Sequence, residues 1–494
     1  MKLHITFKNI QACHPLHKTY STDSYYQRLA NRLYDHLQQR FDNGAMQEDE
    51  LPNISLALIR YFEDIVADSG LWRAFSRLCE QELGYTVPLY HDPEEYYPDE
   101  PSLNAIRFLT WKTMSDMHPD QMIYADDKML LDIGQEAYSL LDAEFENAPV
   151  NDELSRDTDA LLDSADTDFN RLRQTLTVLT TSYLMDHRSR QENILKIINS
   201  FGDKKELSTE LKEYHARMSF LFNHKLSPLA LPAYLWLKAL AEVRGKEQLA
   251  THLGAIKVEK QDTWRITART EKDISIESLH GHTLTVPVEE LNIDEKQLAQ
   301  HDGLLGSFVF YQEAWHLNGL LVSMHLNGRF EEMRSQCRDI PQEGTRSYSS
   351  EELKQMFGGK TLIYTKDSNE MKKLLQKKMK YSKTVDLNQL NSDKPVTLFI
   401  DDKDTYYNQF FSFDTAPCIK DATNPYYNPK QAQAEAIDML WDEERCTTHM
   451  AEYLVEHDML PDAYHQPEFR PAVSASQQKA DLLFFMRYHR SKNV

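Results

Sequence analysis

Two stretches of the chain hold residue types that ligate metals. Cys13-His14 with His17, and His4 upstream, bring thiol and imidazole groups into one region. A zinc site needs four such ligands, or three plus water, at defined geometry. No second cluster of these types is visible in the sequence, so no metal is expected there. His280-Gly281-His282 is the other stretch. Alternate residues of a strand share a face, so both imidazoles, with His301, could hold one ion. The glycine argues instead for a turn with exposed histidines.

Acid–base chemistry has one candidate, Asp401-Asp402, just after an apolar run at Val396 to Ile400. Open α/β sheets place their sites at such strand ends, and the bland alternative is a solvated turn. Gly359-Lys360-Thr361 ends like a phosphate-binding loop. That loop needs a glycine five residues before Gly359, where Lys354 stands, and it should open a helix rather than precede a strand. G-x-S-x-G, H-E-x-x-H, G-x-G-x-x-G and the kinase signatures are absent. Catalytic residues therefore stay unassigned, and no cofactor is expected.

Two candidates for partner contact remain. Lys366 to Lys383 carries seven lysines, among them Lys372, Lys373, Lys377 and Lys378, against Asp367 and Glu370. In a chain of net charge −22 this basic run suits phosphate, RNA or an acidic protein surface. It has too few aromatics to stack bases. Tyr311, Trp315 and His316 are the second candidate, as side chains of a small sheet that either touch a peptide or fill its core.

These residues must be positioned by a mainly helical chain. Leu3, Ile5 and Phe7 alternate as one short strand. From Asp23, a plausible N-cap, apolar residues recur at helical spacing: Tyr26, Leu29, Ala30, Leu33 and Leu37. Further helices present Ile54, Leu58, Tyr61, Phe62 and Ile65, and then Phe75, Leu78 and Cys79. Tyr85 to Ser102 is an acidic, tyrosine- and proline-rich loop. Helices resume at Leu103 to Asp116 and Met129 to Phe145. Asn151 to Asp168 reads as a linker or an exposed helix, before more helical pattern as far as Val243.

Trp264 to Leu326 is the densest run of β signals. It reads as a small twisted antiparallel sheet or barrel. It ends in a hairpin, Ala314 to Leu317 against Leu320 to Met324, across Asn318-Gly319. Pro287 suits an edge strand. Leu362 to Tyr364, a helix from Ser368, and Val396 to Ile400 fit one βαβ unit. Three helices close the chain. The fold class is α+β, mainly α. The expected parts are 1–250 (helical, with a possible split near 151–168), 251–335 (β module), 336–415 (α/β) and 416–494 (helical).

Bulk properties agree. A chain of 494 residues with 41% apolar and 27% charged residues is globular and suggests about three domains. Its acidity disfavours general binding to nucleic acid or anionic membrane. Five scattered cysteines without C-x-x-C spacing fit a reducing compartment. No signal peptide or membrane-length apolar run is seen, which gives a cytoplasmic expectation.

Four stretches carry a resemblance: Asp99 to Trp111 (DEPSLNAIRFLTW), Leu140 to Leu154 (LLDAEFENAPVNDEL), Cys418 to Tyr427 (CIKDATNPYY), and the W-x-x-N-G at Trp315 to Gly319. The chain resembles an uncharacterised bacterial family, a domain of unknown function. The resemblance implies one bacterial, cytoplasmic protein spanning the whole chain, with no activity to transfer. The leading expectation is a non-catalytic binding or regulatory protein acting through protein contacts. The alternatives are RNA or ribonucleoprotein contact through 366–383, and an enzyme of unrecognised type built on Asp401, Asp402 or His280 and His282.

Overall fold

The structure is a computed structural model. It describes residues 5–41, 46–91, 97–119, 121, 123–185, 189–201, 208–291, 300–336, 348–379, 392–403, 408–461 and 474–490. Leu3 and His4, Pro93 and its acidic neighbours, Cys337, Lys380, Tyr381 and Lys383 lie outside the described residues.

In chain order the helices are α1 (Phe7–Gln11), α2 (Asp23–Phe41), α3 (Glu50–Ala67), α4 (Leu71–Leu83), α5 (Leu103–Met117), α6 (Lys128–Phe145), α7 (Asp152–Ala165), α8 (Phe169–Leu179), α9 (Ser189–Ser200), α10 (Thr209–Asn223), α11 (Ala233–Val243), α12 (Glu247–Gly254), α13 (Phe330–Gln336), α14 (Ser350–Met356), α15 (Ser368–Met379), α16 (Pro429–Trp441), α17 (Thr448–Glu456) and α18 (Ala475–Arg490). The strands are β1 (Lys225–Leu226), β2 (Leu231–Pro232), β3 (Lys257–Arg269), β4 (Asp273–Ser278), β5 (Thr283–Pro287), β6 (Gly303–Tyr311), β7 (Ala314–Leu317), β8 (Val322–Met324), β9 (Leu362–Thr365), β10 (Val396–Ile400) and β11 (Gln409–Phe413). The fold is α+β and mainly α, as the apolar periodicities require.

The chain forms two compact units. The first comprises 1–260, 307–320 and 467–494; the second comprises 261–306 and 321–466. The chain passes from one to the other within β3 and β6.

The first unit is built on apolar helix faces. On α2, Tyr26, Leu29, Ala30, Leu33 and Leu37 are buried, one stripe at helical spacing. An aromatic core joins α4, α5, α11 and α18. Phe75 stacks on Trp236 at 5.9 Å and on Phe108 at 5.1 Å, and Trp111 meets Phe484 at 5.8 Å. The polar run 151–168 is a helix rather than a linker. Asn151 caps α7 by accepting from the Leu154 amide, and Leu154, Thr158, Leu162 and Ala165 face inward. The expected strand at Leu3 to Phe7 begins outside the described residues, and its last residue is corrected. Phe7 opens α1, because Thr6 and Asn9 form a capping box that outweighs so short an alternation.

In the second unit β3, β4 and β5 form an antiparallel meander, with Ile274, Ile276, Leu284 and Val286 buried. In the full order β5-β4-β3-β6-β7, with β8 also on β6, Pro287 lies on the edge strand β5, as expected.

The expected hairpin is displaced. β7 pairs with the end of β6, from Phe308↔Leu317 to Tyr311↔Ala314, and β8 pairs with the start of β6. The turn is Gln312-Glu313, at φ 46° and 64°, both left-handed as a type I′ turn requires. Gly319 also has positive φ, but it serves a close approach. A Cβ there would lie 2.6 Å from Nδ1 of His215, which accepts from the Leu320 amide at 3.1 Å.

The expected βαβ unit is corrected in the same way. Strand, helix and strand follow in order, yet β9 and β10 pair antiparallel, Thr365 opposite Val396. The chain leaves and re-enters the sheet at one end, so no parallel crossover is made. Residues of β10 are all buried between β9 and β11. Leu353, Met371, Leu375, Val396, Leu398 and Ile400 share one core. Among the described residues no helix is long and apolar enough to cross a membrane.

Candidate functional site

The first unit gathers ionisable groups in its interior. His14 precedes a short 3-10 turn at Pro15–His17, Asp23 opens α2, and Glu63 sits inside α3. Their exposures are 4%, 0% and 4%, values that charged groups reach only when paired. His14 Nε2 lies 2.9 Å from Glu63 Oε2, and its Nδ1 lies 3.2 Å from the Lys18 carbonyl and 3.6 Å from Asp23 Oδ1. Asn151 donates to Glu63 Oε1 at 2.7 Å, and the Tyr20 amide donates to Asp23 Oδ2 at 3.0 Å. Asp23 Oδ1 itself is buried without a hydrogen-bond partner.

Electrostatics follow from this enclosure. Burial is the largest influence on His14 and would lower its pKa. The hydrogen bond and charge of Glu63, the charge of Asp23 and the Lys18 carbonyl outweigh it, and the pKa rises above its usual value. Burial pushes the Asp23 carboxyl up, against the Tyr20 amide and the nearby His14.

Asp64, next to Glu63, turns the other way. Oδ2 accepts from the Trp72 amide at 2.7 Å and from the Tyr183 hydroxyl at 2.8 Å. Oδ1 accepts from the Leu71 amide at 3.1 Å and from the Ser69 hydroxyl. A carboxylate on α3 thus caps the first turn of α4 from outside that helix.

Between these groups lies a cavity of about 70 Å³. Leu154, Leu162, Leu179 and Leu240 are among its apolar walls, and His14, Glu63, Asp64, Arg60 and Ser182 are among its polar ones. Its carboxylates are occupied: Glu63 by His14 and Asn151, Asp64 by four donors. Arg60 Nε and Ser182 Oγ are buried with no hydrogen-bond partner. The uncommitted polar atoms on the wall are therefore a guanidinium Nε and a hydroxyl.

Of the residues singled out in the sequence for metal chemistry, Cys13 and His14 lie at the cavity and the others fall elsewhere. His14 joins the cluster, but its neighbours are Asp23 and Glu63, not Cys13 or His17. Cys13 Sγ is 2.8 Å from the Asn9 carbonyl. His14, Asp23 and Glu63 are the set of three His, Cys, Asp or Glu residues among the described residues whose donor atoms converge within 4.8 Å. The H-G-H stretch is a turn, with Gly281 at φ 85° and His280 Nδ1 2.8 Å from Asp262 Oδ2. His301 instead lies against His325, ring centres 4.5 Å apart. Gly358 and Gly359 are turn residues of positive φ between α14 and β9.

Asp401 accepts from the Lys403 amide and lies 2.8 Å from His449 Nδ1, while Asp402 pairs with Lys354 at 2.6 Å. Tyr311 is 1% exposed and donates to the Ala165 carbonyl at 2.8 Å. Its reading as a contact surface is corrected: it is a core residue. His316 stacks on Phe169 at 4.6 Å, and Trp315, half-buried, sits 5.4 Å from the Phe310 ring. On α15, Lys373, Lys377 and Lys378 are exposed and Lys372 is half-buried, with Lys373 and Lys377 opposite the buried Met371 and Leu375.

Arg60, Glu63, Asp64 and Ser182 are not singled out by the sequence, and Asp23 is read there only as a helix cap. Their one visible signal was Glu63-Asp64 inside the apolar stripe from Ile54 to Ile65, a pair of acids where a core face was expected.

A family model described as a protein of unknown function, DUF3843, matches residues 4–260 and 331–489. The chain belongs to the DUF3843 family. The match takes in every residue of the buried cluster and of the cavity wall. No curated protein and no solved structure matches this DUF3843 chain.

Proposed function

We propose that this is a non-catalytic binding or regulatory protein whose helical unit holds a small organic anion. The observation that supports this reading is the cavity wall, where Arg60 Nε and Ser182 Oγ accept or donate no hydrogen bond while each carboxylate on the wall is occupied. An unpaired buried polar group costs roughly 1–3 kcal/mol, so a ligand that satisfies both gains affinity. Size narrows the class. One water needs about 10–15 Å³, and an engineered cavity of about 150 Å³ takes benzene. A volume of about 70 Å³ therefore suits roughly three to five heavy atoms, such as a short monocarboxylate with its tail on the leucines. At no more than about 1.5 kcal/mol per heavy atom, affinity is micromolar at best.

The test is calorimetric titration of acetate, propionate and butyrate, with acetamide and propionamide as neutral controls. One equivalent of carboxylate should bind, the amides should not, and Arg60→Ala should abolish binding. Saturable binding by none of them, or binding unchanged in Arg60→Ala, would refute the reading.

A second contact is favoured by α15. Its inner face is anchored in a core, its outer face presents Lys373 and Lys377, and Lys378 is exposed near its end. We propose an acidic protein partner there, with RNA as the alternative. Binding should weaken steeply with salt and vanish when these lysines become Glu; salt-independent binding would count against it. A cytoplasmic location is supported by Cys13, Cys79, Cys418 and Cys446, none of which is in a disulfide.

A further inference from the structure

We infer that His14, Asp23 and Glu63 bind a divalent first-row transition cation. The inference goes beyond the anion reading: it uses His14 and Glu63 of the cavity wall with Asp23, and neither Arg60 nor Ser182. Three separate segments, the Pro15 turn, the start of α2 and the middle of α3, bring one imidazole and two carboxylates into the interior of the first unit. One donor atom from each lies within 4.8 Å of the other two, and all three residues are buried. Bonds of about 2.1 Å to one ion set neighbouring ligand atoms roughly 3.0–3.4 Å apart. His14 Nε2 and Glu63 Oε2 are already 2.9 Å apart. Asp23 joins them by a side-chain rotation within that 4.8 Å radius.

The supporting contacts leave the right atoms exposed to an ion. Glu63 Oε1 is held by Asn151, Asp23 Oδ2 by the Tyr20 amide, and His14 Nδ1 by the Lys18 carbonyl. Such outer contacts fix the tautomer and orientation of metal ligands. They leave His14 Nε2, Glu63 Oε2 and Asp23 Oδ1. Asp23 Oδ1 is the independent sign, because its residue is 0% exposed and that oxygen accepts no hydrogen bond, with only His14 Nδ1 facing it at 3.6 Å. Two buried carboxylates also carry the charge that a dication neutralises. The adjoining cavity has room for the waters that complete the coordination.

Ligand chemistry selects the ion. Calcium and magnesium prefer all-oxygen sites. A mixed imidazole and carboxylate set suits zinc or manganese. Cys13 is turned to the Asn9 carbonyl, so no thiolate enters. On binding, the proton on His14 Nε2 passes to solvent as the nitrogen takes up the metal.

The experiment uses the full chain, stripped with chelator and dialysed against zinc or manganese. Elemental analysis should find one equivalent per chain retained after gel filtration. Cobalt substitution should give visible absorption of nitrogen–oxygen coordination. Asp23→Asn and Glu63→Gln, checked for folding by circular dichroism, should weaken zinc binding by at least about 10–100-fold, the loss that even a supporting residue causes. Arg60→Ala should keep the metal while losing the carboxylate, which separates this inference from the anion reading. No retained metal in the wild type would overturn it. So would retention unchanged in both ligand variants, which would assign the metal to surface histidines.

Discussion

Asp64→Ala tests whether the cavity's frame is made as described. Asp64 is 3% exposed and accepts four hydrogen bonds. Alanine leaves the Ser69 and Tyr183 hydroxyls free to rotate toward other acceptors. It strands the Leu71 and Trp72 amides, which open α4 and cannot rotate. The buried Trp72 amide costs roughly 1–3 kcal/mol when orphaned and the part-buried Leu71 amide less. Part of this is recovered because a carboxylate no longer has to be buried; its pKa is raised by that burial. The net loss should be about 2–4 kcal/mol, a large share of a typical stability. Tyr183→Phe removes one donor of four and should cost about 1 kcal/mol alone. In the Asp64→Ala background it should cost almost nothing, because the acceptor is gone. Native-state hydrogen exchange at the Trp72 amide, with urea unfolding followed by tryptophan fluorescence, reads both quantities. A loss under 1 kcal/mol for Asp64→Ala, or full additivity of the pair, would refute the reasoning.

Further outcomes follow from other parts of the fold. Leu375→Ala, in the core beneath α15, should cost about 2–5 kcal/mol in chemical unfolding, whereas Lys373→Glu should stay within about 0.5 kcal/mol; equal effects would place the faces of the helix wrongly. Gly319→Ala should destabilise by roughly 1–3 kcal/mol, because φ is 91° and the new Cβ meets His215; a neutral result in thermal unfolding would contradict that approach. Hydrogen bonds from Arg265, then Arg334, hold the Glu277 carboxyl below its usual range. Its contribution is present above the unfolded value near 4.3 and is lost as pH falls through the depressed folded value. Glu277→Gln should therefore flatten the acid limb of the stability profile, and an unchanged limb would exclude the pair as a source.

Much of the scaffold was legible because apolar spacing alone dictates it. Tyr26 to Leu37 and Ile54 to Ile65 became the buried faces of α2 and α3, and Pro287 went to an edge. What misled was local chemistry that tertiary contact overrode. Asn318-Gly319 has turn chemistry, yet its positive φ serves the close approach of His215, while Gln312-Glu313, with no glycine, makes the hairpin. β9 and β10 have the spacing of a parallel unit, but no sequence term reports the direction in which the chain re-enters a sheet. The site was the least legible part. Cys13-His14 drew notice for its ligand types, yet the carboxylates that meet His14 come from positions 23 and 63, inside stretches read only as a helix cap and a core face. Convergence of segments, not any linear motif, makes the cluster.

The binding account depends on the unpaired Nε of Arg60 on the cavity wall, and calorimetry with propionate addresses it most directly. The account predicts one saturable site per chain in the wild type and in Asp23→Asn, and none in Arg60→Ala. Heats of dilution alone in the folded wild type, or a titration curve in Arg60→Ala that superimposes on it, would contradict the claim.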